Sequence, residues 1–285
     1  MRNKKFVLVI TLLCLAVVAV SLAGCSLSGE RQAGILTPQF TDDTSTGTLV
    51  AANNLPAALR VYCSLSGSTL TSSGFYISSD GYAVTNAHAV NYDTDANLTV
   101  EDYNGTRLRA SVSYINAEID IAVIKVAVYA EQSYVTFASS SDVNNVYPGD
   151  TAYVIGNPSN LGLGVSSATI SALDCYVKEE NNPAGGIDSI ILDANINHGN
   201  SGGPLLNKNG YVVGVIYARL ENNSASSGQT EDIYGLGCAV PSDLVTEFLA
   251  ECNVSYSMNG YPYPTPVEHF NRTVFGIFAQ SADLL

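Results

Sequence analysis

Residues 74–86 read GFYISSDGYAVTN, and this stretch predicts a β-hairpin. An Asp-Gly dipeptide at 80–81 separates two runs rich in aromatic and β-branched residues, which is the strongest short-range hairpin pattern. Asn-Gly dipeptides repeat it at 104–105, inside LTVEDYNGTRLRASVSYI, and at 209–210, inside LLNKNGYVVGVIYA. The chain therefore contains three predicted hairpins, and its fold is expected to be rich in antiparallel strands.

Further short strands are predicted between turn residues along the rest of the chain. They lie at Ile121–Val126, Thr151–Ile155, Ser166–Leu173, Ile187–Ala194 and Leu236–Val240. Strands this short, interrupted this often, are typical of sheets that close or stack on themselves. The predicted fold class is all-β, built of barrels or sandwiches.

One stretch has helical rather than strand periodicity. Ser242 follows a proline and can cap a helix, and apolar residues then recur at i, i+3, i+4 and i+7. These residues are Val245, Phe248, Leu249 and Cys252. A short amphipathic helix is expected to close a domain that spans residues 56–255. A domain of about 200 residues is near the size at which one antiparallel unit gives way to two.

The turn NINHGNSGGPLLN, residues 195–207, surrounds Ser201 with glycines. Glycine adopts backbone conformations closed to other residues and lets a ligand or another backbone approach closely. A surface turn is the simpler interpretation. The alternative is a nucleophilic serine, with the amides of Gly199 and Ser201 forming an oxyanion hole for a tetrahedral intermediate.

An activated serine needs a base and a group that orients the base. The chain has three histidines. His269 lies in the tail, and His198 is on the same turn as Ser201, so neither is well placed to accept the hydroxyl proton. His88 follows a predicted strand end and has small neighbours, which leaves room for its ring. A purely structural histidine is the alternative at this position.

The orienting group should be a buried carboxylate, which holds an imidazole in one tautomer. Asp120 lies between Ile119 and Ile121 at the start of an apolar strand, whereas most other acids lie in loops. An aspartate that caps the strand entrance is the alternative. His88, Asp120 and Ser201 occur in the chain order of chymotrypsin-type enzymes, which differs from the orders in subtilisins and α/β-hydrolases.

Five blocks of the sequence resemble, in order, those of the high-temperature-requirement (HtrA) serine proteases. They are GFYISSDGYAVTNAHAV, IDIAVIKV, GDTAYVIGNPSNLGLGVSSATISAL, DANINHGNSGGPLLNKNGYVVGVI and YGLGCAVPSDLV. The resemblance implies two perpendicular six-stranded β-barrels, with His88 and Asp120 on the first and Ser201 on the second. It also implies serine endopeptidase activity on unfolded or misfolded proteins in the cleft between the barrels, with no cofactor or metal.

The resemblance also indicates the residues that would contact substrate. Asn195 stands where trypsin-like enzymes carry an aspartate, so a lysine or arginine would lose its hydration without gaining a partner. Ile196, Ile216 and Tyr217 are predicted to line an apolar pocket, and cleavage is expected after small or medium aliphatic residues. A Tyr217 that points to solvent would instead admit phenylalanine. The strand edge Val215–Ala218 is expected to pair with extended substrates.

The first 24 residues predict a secretory signal, because a basic start at residues 2–5 precedes an uncharged apolar run to about Leu22. The sequence LAGC at 22–25 resembles the bacterial lipobox, which implies removal of the signal and lipidation of Cys25. An uncleaved anchor helix is the alternative, since the run is nearly long enough to span a bilayer. In either case the protein is expected on the extracytoplasmic face of a membrane.

The flanks of the predicted domain differ from it in composition. Residues 25–55 are rich in Ser, Thr, Asp and Gly and predict a flexible linker. Family members often assemble as trimers through residues before the first barrel, and Thr37–Phe40 offer an aromatic side chain for such a contact. Residues 256–285 form a tail that resembles only the entrance to a PDZ domain, which most family members carry.

Charge and cysteine content exclude some functions. Removal of residues 1–24 would leave nine basic and 26 acidic residues, a net charge of −17. Such a surface disfavours nucleic acid as a partner. No C-x-x-C pair indicates a zinc site. Disulfides are permitted outside the cytoplasm, the resemblance places Cys63 near Cys252, and buried free thiols are the alternative. The cysteines concerned are Cys63, Cys175, Cys238 and Cys252.

Two rival functions are compatible with parts of this pattern. A protease fold that has lost turnover and binds peptides in its cleft is the main alternative. Glutamate-specific secreted proteases share the GNSG sequence but typically follow it with Ser-Pro, whereas this chain has Gly203-Pro204.

Overall fold

The computed structural model describes five stretches of the chain. They are residues 45–139, 146–179, 182–224, 229–259 and 273–281, with the backbone alone described at 220–224, 229–234 and 273–281. The predicted signal, the lipidation site Cys25 and the trimer contact Thr37–Phe40 lie outside them. Within these stretches, no helix is both long enough and apolar enough to cross a membrane.

Six antiparallel strands form the first barrel, closed in the order β1-β2-β3-β6-β5-β4. Apolar side chains alternate into its interior, as Leu59, Val61 and Cys63 do on the first strand. Two predicted hairpins are confirmed here as β2–β3 and β4–β5. The strands are β1 (Ala58–Leu65), β2 (Ser68–Tyr76), β3 (Tyr82–Asn86), β4 (Asn97–Glu101), β5 (Arg107–Asn116) and β6 (Ile121–Val126).

The second barrel follows a short strand, β7 (Thr136–Phe137), that lies between the two barrels in the chain. Its strands are β8 (Thr151–Gly156), β9 (Gly164–Lys178), β10 (Gly186–Asp193), β11 (Pro204–Leu206), β12 (Val212–Ser224) and β13 (Gln229–Pro241). Because β11 pairs with both β8 and β12, the ring β11-β8-β9-β10-β13-β12 is closed. The prediction of an all-β fold with two six-stranded barrels is confirmed.

A helix precedes the first barrel where the sequence predicted a flexible linker. Helix α1 (Thr46–Asn54) begins after Ser45, whose hydroxyl accepts a hydrogen bond from the amide of Thr48. Val50 on this helix is buried in the largest apolar cluster. The linker prediction does not hold for this segment, because a serine cap and one buried apolar side chain outweigh its polar composition.

Helix α2 (Ser242–Glu251) closes the second barrel, as the helical periodicity predicted. Val245, Phe248 and Leu249 are buried on its inner face. Its N-cap is Pro241 rather than Ser242, and the cap contributes no side-chain hydrogen bond.

The two barrels share one apolar cluster. Phe75 of β2 and Val84 of β3 belong to it together with Val215 and Tyr217 of β12. Phe137 packs against Phe75 with ring centroids 6.3 Å apart. Because this apolar surface is removed from water only when both barrels are in place, it holds the end of β3 near the middle of β12. The candidate site lies at this junction.

Two further strands extend the second sheet. β14 (Ser257–Met258) pairs with β7. β15 (Thr273–Ser281) pairs antiparallel with residues 218–221 of β12 and parallel with β9. Residues 273–281 of the tail that resembles a PDZ entrance therefore lie along strands of the second barrel.

The four cysteines of the described residues are free thiols. Cys63 is buried in the core of the first barrel, whereas Cys252 lies at the end of α2 against the cluster that the barrels share. The pairing of Cys63 with Cys252 is therefore wrong, and the alternative of free thiols holds. The described residues also contain no group of three or more His, Cys, Asp or Glu side chains arranged to hold a metal ion.

Candidate active site

His88 and Asp120 meet at one end of the first barrel. His88 begins a 3-10 turn just after β3, and its ring Nδ1 lies 2.6 Å from Oδ2 of Asp120. The backbone N–H of His88 donates to the other carboxylate oxygen, Oδ1, at 2.9 Å. The histidine is 4% exposed and the aspartate is fully buried. The carboxylate thus fixes both the position and the tautomer of the imidazole.

The backbone around Asp120 is shaped to turn its carboxylate inward. Asp120 has a φ of 53°, a left-handed conformation that few residues other than glycine adopt. Its carbonyl accepts hydrogen bonds from the Asn86 side chain at 2.9 Å and from the Ala87 amide at 3.1 Å. These bonds join the segment before β6 to the end of β3. An aspartate that only caps a strand would not need this inward geometry.

Tyr92 is a further partner of Asp120 that the sequence did not indicate. Its hydroxyl hydrogen-bonds to the Asp120 side chain, and burial together with the charge of Asp120 raises the pKa of Tyr92. Asn91 and Tyr92 both have left-handed φ values, 56° and 53°, which turn the chain back toward the aspartate.

Ser201 lies on the glycine-rich turn between β10 and β11 of the second barrel. The turn is compact, because the amide of Asn200 donates to Asn197 O at 3.1 Å and the amide of Gly203 donates to Asn200 O at 3.0 Å. The Ser201 hydroxyl donates to the carbonyl of Tyr217 at 3.3 Å. The serine is fully buried in the described structure, so the turn is not a solvated surface loop.

Ser73 of β2 fastens this turn to the first barrel. Its hydroxyl donates to the Gly199 carbonyl at 2.6 Å and accepts from the Asn157 amide at 2.9 Å. Its own amide donates to the Ser201 carbonyl at 2.8 Å. Gly202, with φ of 82°, passes so close that a Cβ there would overlap the Ser73 carbonyl. The glycines therefore permit both the turn and its contact with the other barrel.

The peptide between His198 and Gly199 has a defined orientation. The amide of Ser159 donates to the His198 carbonyl at 2.7 Å. No cis peptide is present in the described residues, so the Gly199 N–H points to the side opposite that carbonyl. Gly199 has a φ of 91°, which suits glycine alone. The convergence of the Gly199 and Ser201 amides into an oxyanion hole stays a prediction.

The residues predicted to contact substrate fall into two environments. Asn195 is exposed, whereas Ile196 is 5% exposed. The Ile196 side chain packs against Gly237, so a Cβ atom at position 237 would collide with it. Ile216 is buried in the core of the second barrel with Ile196. Both side chains are buried, Ile216 completely, and their role in substrate contact stays a prediction.

Tyr217 does not point to solvent, so the open-pocket alternative is wrong. It is fully buried, and its hydroxyl lies 2.8 Å from Oγ of Ser189. Burial is the main cause that raises the pKa of Tyr217 well above its ordinary value, and the nearby Cys238 raises it further. The ring therefore packs in the apolar cluster that the two barrels share.

The strand edge available to a peptide is shifted from the predicted one. Val215 is already paired with Pro204 of β11, and Ile216 exchanges backbone hydrogen bonds with Gly202 and Gly203. On this edge of β12, the residues that are not paired with the serine turn or β11 begin at about Tyr217. In the described structure β15 occupies the next part, residues 218–221.

The other two histidines, His198 and His269, were judged from the sequence to be poorly placed to act as the base. His198 is partly exposed, and its carbonyl is bound by the Ser159 amide. His269 lies outside the described residues. The structure thus brings His88 and Asp120 together from the first barrel and places Ser201 on the second barrel at the junction.

Sequence comparisons agree with this arrangement. Residues 72–215 match the family model described as "Trypsin-like peptidase domain". The matched range includes His88, Asp120 and Ser201. Curated relatives are serine proteases of the HtrA and DegP type. The chain belongs to the HtrA family of trypsin-like serine proteases.

Relatives of this HtrA-family chain come from animals and bacteria. It is 32% identical over 241 residues to Serine protease HTRA4 of Homo sapiens, covering 82% of the chain and 46% of that protein. It is 41% identical over 171 residues to Putative serine protease HhoB of Synechocystis sp., covering 60% and 37%. It is 37% identical over 171 residues to the Probable periplasmic serine endoprotease DegP-like of Bartonella henselae, covering 60% and 31%. The chain thus spans about half or less of the length of these relatives.

Proposed function

We propose that this HtrA-family chain is a serine endopeptidase in which His88, Asp120 and Ser201 act together. The observation that carries the proposal is the double contact of buried Asp120 with the ring and the amide of His88, at 2.6 and 2.9 Å. An imidazole held in this way has one nitrogen fixed as a donor and the other available as a base. A structural histidine needs no such arrangement.

In the proposed mechanism Ser201 Oγ attacks the substrate carbonyl while His88 takes its proton. The hydroxyl proton now points to the Tyr217 carbonyl at 3.3 Å, so attack requires it to turn toward His88. Such hydrogen bonds are often long in the absence of substrate and tighten once it is bound. Asp120 stabilises the imidazolium that forms, and the amides of Gly199 and Ser201 bind the oxyanion.

The proposed substrates are unfolded or misfolded proteins in extended conformation. An extended peptide can pair with the β12 edge from Tyr217 onward by β-addition. Ile196 and Ile216 are apolar and lie in one buried cluster, and the exposed Asn195 adds no negative charge for a lysine or arginine. Cleavage is therefore proposed after Val, Ala, Ile or Leu.

The proposal includes a membrane anchor and an extracytoplasmic location. Both rest on the lipobox-like sequence at 22–25 and the basic, apolar N-terminus. Metabolic labelling with a fatty-acid analogue tests the anchor, since a Cys25→Ser variant should lose the label. Label that persists in this variant contradicts lipidation at that site. Trimer assembly through Thr37–Phe40 is part of the same proposal, and light scattering of the purified protein tests it.

An active-site probe tests the catalytic proposal directly. A fluorophosphonate should label the wild-type protein, and a Ser201→Ala variant should remain unlabelled. Purified wild type should also hydrolyse a denatured protein that the variant leaves intact. Absence of both labelling and hydrolysis in the wild type would favour the rival function, a protease fold that only binds peptides.

A further inference from the structure

A second buried carboxyl group, that of Glu179, interacts electrostatically with Asp120 and His88 and has no part in the mechanism above. Glu179 follows the last residue of β9 and is 8% exposed. Its amide donates to Gly185 O at 3.3 Å, and its carbonyl accepts from the Asn182 amide at 3.2 Å. These bonds tie Glu179 to Asn182 and Gly185 near the start of β10.

Asn182 fastens this turn to the segment that leads into Asp120. Its side-chain nitrogen donates to the carbonyls of Ala117 at 3.3 Å and Glu118 at 2.9 Å. The Asn182 side chain also hydrogen-bonds to the Glu179 carboxyl. The other carboxyl oxygen, Oε2, is buried and has no hydrogen-bond partner among the residues that the structure describes. Burial of a polar atom without a hydrogen-bond partner is costly and is seldom retained without a role.

The groups that face Glu179 come from both barrels. On the first barrel, His88, Asp120 and Tyr92 interact with its charge. From the second barrel, Tyr217 and Cys238 interact with its charge. Burial and the charge of Asp120 raise the pKa of Glu179 to about 7, although His88 and Asn182 act in the opposite direction.

We propose that Glu179 is a positioning residue of the triad, which acts through its charge on His88 and does not touch substrate. The inference rests on the proposed function of His88 as the base. When ionised, Glu179 places a second negative charge near the imidazole and favours the imidazolium that forms as Ser201 attacks. When neutral, it leaves Asp120 as the only carboxylate acting on His88.

The consequence is a dependence of catalysis on pH with a defined sign. Below pH 7 Glu179 is mostly protonated, and its contribution is absent. As the pH rises through about 7 the group ionises and transition-state stabilisation increases. In the enzyme without substrate, ionised Glu179 also favours a protonated His88, so the charges of the two groups are linked. The acid limb of the wild-type profile therefore reflects both groups.

The test is the pH profile of kcat/KM for a Glu179→Gln variant, measured on an extended peptide substrate. The variant keeps the volume and a polar side chain but has no charge at any pH. Its acid limb should move to lower pH by about one unit, because His88 loses its proton more easily. Its plateau above pH 8.5 should fall about tenfold.

Two further variants separate charge from shape. Glu118→Gln removes the same charge from an exposed side chain near Asp120 in the chain, where solvent screens it, so its profile should match the wild type. Glu179→Asp retains the charge and should restore most of the plateau. Superimposable wild-type and Glu179→Gln profiles contradict the inference. Equal shifts in Glu179→Gln and Glu179→Asp would assign the effect to packing instead.

A measurement on the wild type covers the case in which the Gln variant does not fold. With ¹³C-labelled glutamate carboxyls, one signal should titrate near pH 7, with His88 ring signals shifting over the same range. Glutamate signals that all titrate below pH 6 overturn the inference. Fluorophosphonate labelling of the same sample separates the two proposals, since labelled Ser201 with unchanged profiles refutes only the role of Glu179.

Discussion

Ser73 of the first barrel donates its hydroxyl to the carbonyl of Gly199 in the second barrel, at 2.6 Å. The same oxygen accepts a hydrogen bond from Asn157, which starts the loop after β8. One buried hydroxyl thus joins three segments that meet at the serine turn. The predicted oxyanion donors owe their position to this link as well as to the local glycines.

A Ser73→Ala variant should lose both stability and turnover. It leaves the Gly199 carbonyl and the Asn157 amide with weaker partners in a buried site, which typically costs about 1–3 kcal/mol. A looser turn also misplaces the oxyanion donors, so kcat should fall about tenfold or more while KM changes little. Urea denaturation and peptide hydrolysis measure the two effects.

Ser72→Ala is a matched control for this prediction. Ser72 is 1% exposed, and its hydroxyl has no hydrogen-bond partner among the described residues. Its removal should leave kcat close to the wild-type value. Equal losses of kcat in the two variants would show that the Ser73 hydroxyl has no special role.

An Asp120→Asn variant should retain the fold but lose most activity. An amide at this position can donate to His88 Nδ1 and thereby place the proton on the wrong ring nitrogen. A decrease in kcat of about 10⁴ is expected, with a small change in KM. Asp93→Asn, the same change at an exposed site, should have no comparable effect. Substantial activity in Asp120→Asn would remove Asp120 from the mechanism.

The raised pKa of Glu179 also predicts a dependence of stability on pH. The group changes from an ordinary pKa of 4.5 to about 7 on folding, so the folded state holds its proton more tightly than the unfolded state. The contribution of Glu179 to the free energy of unfolding is therefore largest below pH 4.5, and it falls as the pH rises to about 7. Removal of the charge should therefore stabilise the protein at alkaline pH, by about 3 kcal/mol at most.

Denaturation of wild type and Glu179→Gln at pH 4 and pH 8.5 measures this difference. The variant should gain stability only at the higher pH. A gain of the same size at both values would indicate better packing rather than relief of a buried charge.

Specificity should change when Ile196 is shortened. Ile196→Ala opens space above Gly237, so the variant should cleave after larger residues such as Phe more often than the wild type. One methylene in such a pocket is worth only about 1–3 kcal/mol, so the change should be graded. Mass spectrometry of a denatured-protein digest measures it, with Lys208→Ala, a change at an exposed site between β11 and β12, as the control. A majority of wild-type cuts after Lys, Arg or Glu would contradict the predicted pocket.

Pairing of β15 with β12 should compete with substrate. A double variant, Ala279→Pro with Gln280→Pro, removes two adjacent backbone N–H donors from β15. Because adjacent donors in a strand point to opposite edges, one of the two points toward β12. KM for an extended peptide should fall, with kcat unchanged. The control variant, Ala279→Gly with Gln280→Ala, keeps both backbone N–H donors, so its KM should change less. If KM is unaffected by the prolines, β15 does not restrict this edge.

The parts of the fold that were predicted correctly depend on local sequence. The dipeptides at 80–81, 104–105 and 209–210 each specify a hairpin through neighbouring residues alone. The contact of His88 with Asp120, 32 residues apart, was inferred only from chemistry and chain order. The contact of Ser73 with Gly199, 126 residues apart, has no local signal in either segment.

Two other differences have specific physical reasons. Helix α1 has a polar composition typical of a linker, and its place is decided by Val50, whose burial depends on the barrels. Tyr217 was expected at a pocket wall because the family resemblance places positions 216 and 217 there. Successive residues of a strand point to opposite sides, so the two side chains enter different clusters. Glu179 gave no signal at all, since a glutamate at the end of a strand is ordinarily solvated.

The division of the triad between two barrels also bears on how the chain reaches its native state. His88 and Asp120 precede Ser201 by more than 80 residues, and each barrel must close before its catalytic groups are in place. Contacts this distant in sequence form late in folding. On the proposed mechanism, a partly folded chain contains the nucleophile without its base, or the base without its nucleophile. A newly made molecule would then be unable to digest itself at the stage when its own strands are most accessible.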